Sequence, residues 1–152
     1  MDIGMKTPNG DFTLRVAALI IQNGQLLVVK HKAYDCFYTI GGRIKANETS
    51  ADAAVREAYE ETGCCFEVDR LVFVQERFFG DRDIRHHEVV FFYLMKSDGF
   101  HIEDGTCTDQ REEMLKWLPI EQLSVYNLVP DFLRTAFEDL PDGVRHIISS
   151  ET

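Results

Sequence analysis

The chain has 152 residues, 45% hydrophobic and 28% charged, with 16 basic against 26 acidic side chains and a formal net charge of −10. That length sets an expectation of one domain, 1–152, able to bury a core without disulfides or metal staples. The acidic balance argues against long nucleic acids as partners, and the longest apolar runs, 16–21 and 89–95, are far too short to cross a bilayer.

In chain order, residues 12–22 read as a strand rich in Val, Ile and Leu. Asn23-Gly24 is a hairpin-turn signal, and 25–31 reads as the returning strand. A short strand over 37–40 ends at Gly41-Gly42. The stretch 50–62 predicts a helix, 66–79 one bulged or broken strand, and 80–87 a polar, charged loop. Residues 88–96 are apolar on both faces, which predicts a central strand. An extended segment over 115–118 follows. Pro130 then suits the first turn of a helix over 130–140, and Phe132, Leu133, Ala136, Phe137 and Leu140 recur at helical spacing. A last strand is expected over 144–149. Strict βαβα alternation is absent, so the pattern predicts an α/β fold with a mixed sheet carrying helices on its faces. Four cysteines without a C-x-x-C pair, and an N-terminus without an apolar signal core, set the expectation of a reduced cytoplasmic protein with core thiols.

The segment GGRIKANETSADAAVREAYEETGCC, 41–65, is the most informative. Thr49 or Ser50 can cap the helix, and Gly63 supplies its stop. At 100° per residue, Ala51, Val55, Ala58, Tyr59 and Thr62 fall on one side, the expected core face. Glu57, Glu60 and Glu61 gather on the other within about 100° of arc, with Ala53 beside them. Such like-charge pairs each cost an isolated helix roughly 0.2–0.5 kcal/mol, and Glu60 and Glu61 also face the negative end of the helix dipole. Arg56 offsets part of this but cannot neutralise three carboxylates. A solvated acidic face is one reading. A hard divalent cation, Mg²⁺ or Mn²⁺, held by carboxylate oxygens is the other.

The order Gly42, five residues, Glu48, seven residues, Arg56-Glu57, then Glu60-Glu61 and Gly63 resembles the signature of the Nudix (MutT-like) hydrolase family, G-x5-E-x7-R-E-U-x-E-E-x-G-U. Every charged and glycine position matches; Ala58 and Cys64 fill positions usually held by bulkier aliphatics, and Ile40 stands where a proline is frequent. Trp117-Leu118-Pro119 also resembles a segment found after the later strands of such domains, and the resemblance covers about residues 10–140. It implies an α/β/α sandwich around a mixed sheet, and a pyrophosphohydrolase acting on a nucleoside diphosphate linked to another moiety. It further implies Glu57, Glu60 and Glu61 as ligands of Mg²⁺ or Mn²⁺, with the Gly41 carbonyl completing the shell and Glu57 also a candidate base. Arg56 would orient the carboxylates and Glu48 would brace Arg56. A further carboxylate from a distant loop is implied, with Glu112 favoured over Glu113. Arg43, after the double glycine, suits phosphate contact, and Arg85 is a second substrate-binding candidate from a loop otherwise readable as a solvated hairpin tip. Markers of particular subgroups are missing, so the nucleoside diphosphate derivative stays open. A homodimer is compatible with the family. The competing readings are a non-catalytic nucleotide-sensing or interaction module, which should have lost box carboxylates, and an isoprenoid-diphosphate isomerase.

Overall fold

The computed structural model describes residues 1–108 and 112–151. Strand β1 (Gly4–Thr7) forms a hairpin with β2 (Gly10–Leu19). It was not legible beforehand, because all four of its residues are exposed on a sheet edge and carry no apolar alternation. The strand expected over 12–22 breaks after Leu19 and resumes as β3 (Ile21–Gln22), while the Ile20 carbonyl accepts the Leu27 N–H at 2.9 Å. Asn23 and Gly24 both have positive φ, 52° and 73°, the conformation a two-residue hairpin needs. They turn the chain into β4 (Gln25–His31). Strand β5 (Phe37–Arg43) does not end at the double glycine. It runs through Gly41 and Gly42, which pair with Ala17 and Val16 of β2.

The helix α1 (Ser50–Thr62) has the expected limits. Thr49 caps it, its hydroxyl accepting the Asp52 N–H at 3.1 Å, and Gly63 ends it at φ 77°. Next come β6 (Glu67–Gly80), with register shifts near Arg70 and Phe73, and β7 (Arg85–Lys96). The loop expected over 80–87 shrinks to a turn, because Asp81 accepts the N–H groups of Asp83 and Ile84 and closes the hairpin early. As its two greasy faces require, β7 is central, antiparallel to β6 and parallel to β2. Strand β8 (Glu113–Pro119) pairs with β4, β9 (Leu128–Val129) with β5, and β10 (Arg145–Ser150) runs parallel to β6. The outcome is an α/β fold on a mixed sheet.

Layers cover both sheet faces. On one, α1 packs over Val16, Ala18, Ile40 and Leu115. Its contact face is turned from the expected one: Ala53, Ala54 and Ala58 are fully buried, whereas Tyr59 is 53% exposed. Alanines let the helix approach the sheet closely, and a tyrosine at that separation does not fit between them. This rotation carries Glu57 and Glu61 toward the end of β5 at Gly41-Gly42 instead of into open solvent. The other face is covered by the 3₁₀ turn Ile120–Val125 and a short α2 (Leu133–Ala136). The helix expected over 130–140 is therefore four residues long. Its apolar residues do reach the core, Phe132 meeting Phe73 and Phe92 edge-on at 5.2 and 5.3 Å. Their spacing encoded burial on one side, which successive i→i+3 turns from Pro130, Asp131 and Phe132 also satisfy, and Pro141 disfavours a helical Leu140. The cysteines are free: Cys64 packs, half-buried, against the core beneath α1 as expected, whereas Cys36 is half-buried outside it and Cys65 and Cys107 are exposed. Among the described residues, no helix is long and apolar enough to cross a membrane.

Candidate active site

The site forms where α1 meets the end of β5. The Arg56 guanidinium holds Glu48 through two hydrogen bonds, Nε at 2.7 Å and Nη2 at 2.8 Å, and its Nη1 reaches Glu57 at 2.9 Å and Glu60 at 3.4 Å. Nη2 also donates to the Arg43 carbonyl at 3.0 Å, which ties the helix to the end of β5. The fork geometry of arginine suits this bidentate use. Arg56 pulls the Glu48 carboxyl down to about 2, and the same bond raises the arginine further above its ordinary value. Glu57 moves the other way. Burial pushes its carboxyl up, and the hydrogen bond from Arg56 opposes that only in part.

The two glycines make this proximity possible for separate reasons. A Cβ at Gly42 would lie 2.5 Å from the Glu57 carboxyl carbon, so the missing side chain is the space that Glu57 occupies. A Cβ at Gly41 would run into the Val16 carbonyl across the ladder, and the Gly41 N–H donates to Glu61 at 3.0 Å. Among the described residues, no three His, Cys, Asp or Glu side chains already form a cation cage. Glu57 and Glu60 are turned to Arg56, and Glu61 to the Gly41 N–H.

From Gly41 two contiguous cavities open, sharing Arg15, Tyr38 and Thr39. The smaller, about 320 Å³, includes Glu61, Glu113 and His31. The larger, about 440 Å³, runs over the sheet face away from α1, past Gln75, Arg77, Phe79 and Glu88 to Pro130. Glu88 lies between two cations, 3.9 Å from Arg15 and 3.6 Å from Arg77, and accepts from the Thr13 hydroxyl at 3.2 Å. Arg77 also pairs with Glu151 at 2.7 Å and stacks 4.0 Å over the Phe79 ring. The arrangement is thus a carboxylate cluster, with cations and an open cleft next to it.

A family model described as the NUDIX domain matches residues 11–140. The chain belongs to the Nudix family. An ADP-ribose pyrophosphatase of Methanocaldococcus jannaschii is 28% identical over 123 residues, spanning 78% of this chain and 72% of that protein. The solution structure of the E. coli ORF135 protein is 25% identical, with a TM-score of 0.58 over 84% of this chain and 89% of that one. A MutT protein from Bacillus halodurans shares the fold at 15% identity, with a TM-score of 0.68 over 92% and 90% of the two chains. Membership makes this chain a Nudix hydrolase, and the mixed sheet with helices is the Nudix fold.

Around this Nudix helix the structure gathers Gly41, Glu48, Arg56, Glu57, Glu60 and Glu61. The other expected residues are dispersed. Arg43 is exposed beside a neighbouring pocket that includes Phe79 and Glu88. Arg85 lies apart from the glutamates, in a pocket with Met5, Phe12, Phe78 and His87. Glu112 is 71% exposed and pairs with His31 at 3.4 Å, whereas Glu113 enters β8 and lines the cavity that contains Glu61. Arg15, Gln75 and Glu88 were missed, and Arg77, weighed with Arg85 as a loop cation, lies instead within β6. The signal for two of them was present: Gln75 and Arg77 alternate with Phe73 and Phe79 on the inward face of β6, where polar residues need a reason.

Proposed function

We propose that this chain is a divalent-metal-dependent pyrophosphohydrolase acting on a nucleoside diphosphate linked to another moiety. One observation carries the reading: Glu57 and Glu61 of α1 are packed against Gly41-Gly42, and Gly41 and Arg15 continue from there into the cleft that holds Arg77. A module that only senses nucleotide has no need to keep the helix carboxylates together there. The residues fit a hard cation by their chemistry, since Glu57, Glu60, Glu61 and the Gly41 carbonyl are oxygen donors and the space at Gly42 is kept for one of them. Nudix hydrolases use divalent metals, and we assign Mg²⁺ or Mn²⁺ here. When bound, the ion neutralises phosphate charge and lowers the pKa of water.

The chain's own residues supply the rest. In this reading Glu57 takes a proton from the attacking water at its carboxylate. Arg56 keeps Glu57 and Glu60 oriented, and Glu48 keeps Arg56 in place. Arg15 and Arg77 offer cationic contacts to the diphosphate, a role the geometry supports better for them than for Arg85. We assign the additional carboxylate to Glu113 instead of Glu112, because Glu113 shares a cavity with Glu61 and Gly41. The test is a panel of nucleoside diphosphate derivatives with product identification, run with Mg²⁺, with Mn²⁺ and with chelator. Release of two phosphate-bearing products, lost with chelator, is expected. Full activity without metal, or rearrangement of an isoprenoid diphosphate at constant mass, overturns the reading.

A further inference from the structure

The floor of the larger cleft holds a polar group that the proposed hydrolysis does not use. Gln75 is fully buried in the middle of β6, on the face it shares with Phe73, Arg77 and Phe79. Its Nε2 donates to the Ser149 hydroxyl of β10 at 2.8 Å, which orients the amide. Its Oε1 has no hydrogen-bond partner. Among the described residues, two other buried side-chain atoms share that condition, on His87 and Arg134, and neither residue lines this cleft. A buried acceptor without a donor is costly and rare in folded proteins. A donor carried by a ligand in the cleft would complete it.

We propose that Gln75 is a specificity-determining residue: its Oε1 accepts a hydrogen bond from the exocyclic amino group of a nucleobase seated in the cleft. This rests on the nucleoside diphosphate reading above and narrows it to derivatives of amino-bearing bases, the 6-aminopurines and 4-aminopyrimidines. Three features of the cleft agree. One amide N–H is committed to Ser149, which fixes the orientation of the amide and leaves Oε1 as its unpartnered acceptor. Tyr38, 39% exposed, gives the cleft an aromatic wall for a planar ring. Arg15 and Gly41 belong to both cavities, so a base lying over Gln75 has its phosphates directed toward the α1 carboxylates.

The test measures equilibrium binding of AMP and CMP, each against the analogue lacking the exocyclic amino group: purine riboside 5′-monophosphate and pyrimidin-2-one riboside 5′-monophosphate. The native chain is expected to bind at least one amino nucleotide about 10-fold or more tightly than its analogue. Gln75→Leu, with its fold checked by thermal melting, should bring that ratio close to one. Ser149→Ala, a milder change outside the cleft that frees the amide to turn, should lower the ratio several-fold and decides the matter if Gln75→Leu does not fold. Equal binding of each pair by the native chain, a preference that survives both variants, or no binding of either nucleotide overturns the assignment. Hydrolysis of the panel of nucleoside diphosphate derivatives with Mg²⁺, followed alongside, separates the two readings. Binding preference without hydrolysis of any diphosphate derivative leaves Gln75 in place and removes the enzymatic reading; hydrolysis without preference does the reverse.

Discussion

The Glu57 carboxyl fills the volume that a side chain at Gly42 would need, its carbon 2.5 Å from where a Cβ would stand. The neighbouring Gly41 instead abuts the Val16 backbone. The two glycines should therefore fail differently. In Gly42→Ala, the obstacle is the end of a flexible side chain, so Glu57 swings aside; kcat should fall by about 10²-fold with the melting temperature little changed. In Gly41→Ala, strands β2 and β5 must separate, and stability should drop by about 2 kcal/mol or more. Thermal melts and kinetics on the pair check this; equal loss of stability in both would contradict it.

Like-charged carboxylates on one helix face repel one another, and the proposed cation would relieve that. Glu57→Gln and Glu61→Gln should each lower kcat by on the order of 10²-fold or more, while neither melts below the native chain in metal-free buffer. For Glu57 the raised pKa points the same way, since burial already disfavours its charge. A metal-free melting temperature well below native in both variants would mark the glutamates as structural.

The Glu48–Arg56 bond gives the fold an acid limit. Arg56 holds the folded carboxyl at about 2, against 4.5 for the free group. A depressed carboxylate contributes stability that is present above the unfolded value and lost as pH falls through the folded one. The native chain should thus lose this contribution between pH 4.5 and about 2. Glu48→Gln should be less stable at neutral pH and show a shallower loss across that window. Denaturant titrations from pH 7 downward test it, and parallel curves for the two proteins would remove Glu48 as the cause.

The helix and its caps were legible because Thr49, Gly63 and the alanines are local signals, and the central β7 because both its faces are apolar. Its contact face was not, since a hydrophobicity wheel ranks Tyr59 above Ala53, while close approach to a sheet ranks them the other way. The four-residue α2 was over-read for a related reason: spacing reports which residues are buried, not which backbone buries them. In the site, Glu48, Arg56 and the α1 glutamates lie within a short stretch of chain and carry a spaced pattern. Arg15, Gln75, Arg77 and Glu88 come from three strands, and only the pairing of β2, β6 and β7 brings them to one cleft.

The choice between Glu112 and Glu113 is the most exposed of these assignments. Reach from an uncommitted loop favoured Glu112 on sequence grounds. In the fold, the Glu112 carbonyl accepts the Lys32 N–H at 2.8 Å, and its exposed carboxylate is taken up by His31. Glu113 opens β8 opposite His31 in the β4 ladder, and paired residues share a face, so its side chain lies on the side of His31. That side is the cavity of Glu61, Gly41 and Arg15. Under the proposed function, a carboxylate there would add an oxygen donor from outside the helix. Glu113→Gln should then lower kcat by about 10-fold or more, with the Mg²⁺ concentration for half-maximal activity rising, whereas Glu112→Gln should stay within about twofold of native. Kinetics of both variants across a Mg²⁺ titration decide it: a dead Glu112→Gln beside an active Glu113→Gln would return the ligand to the loop and leave the helix carboxylates as assigned.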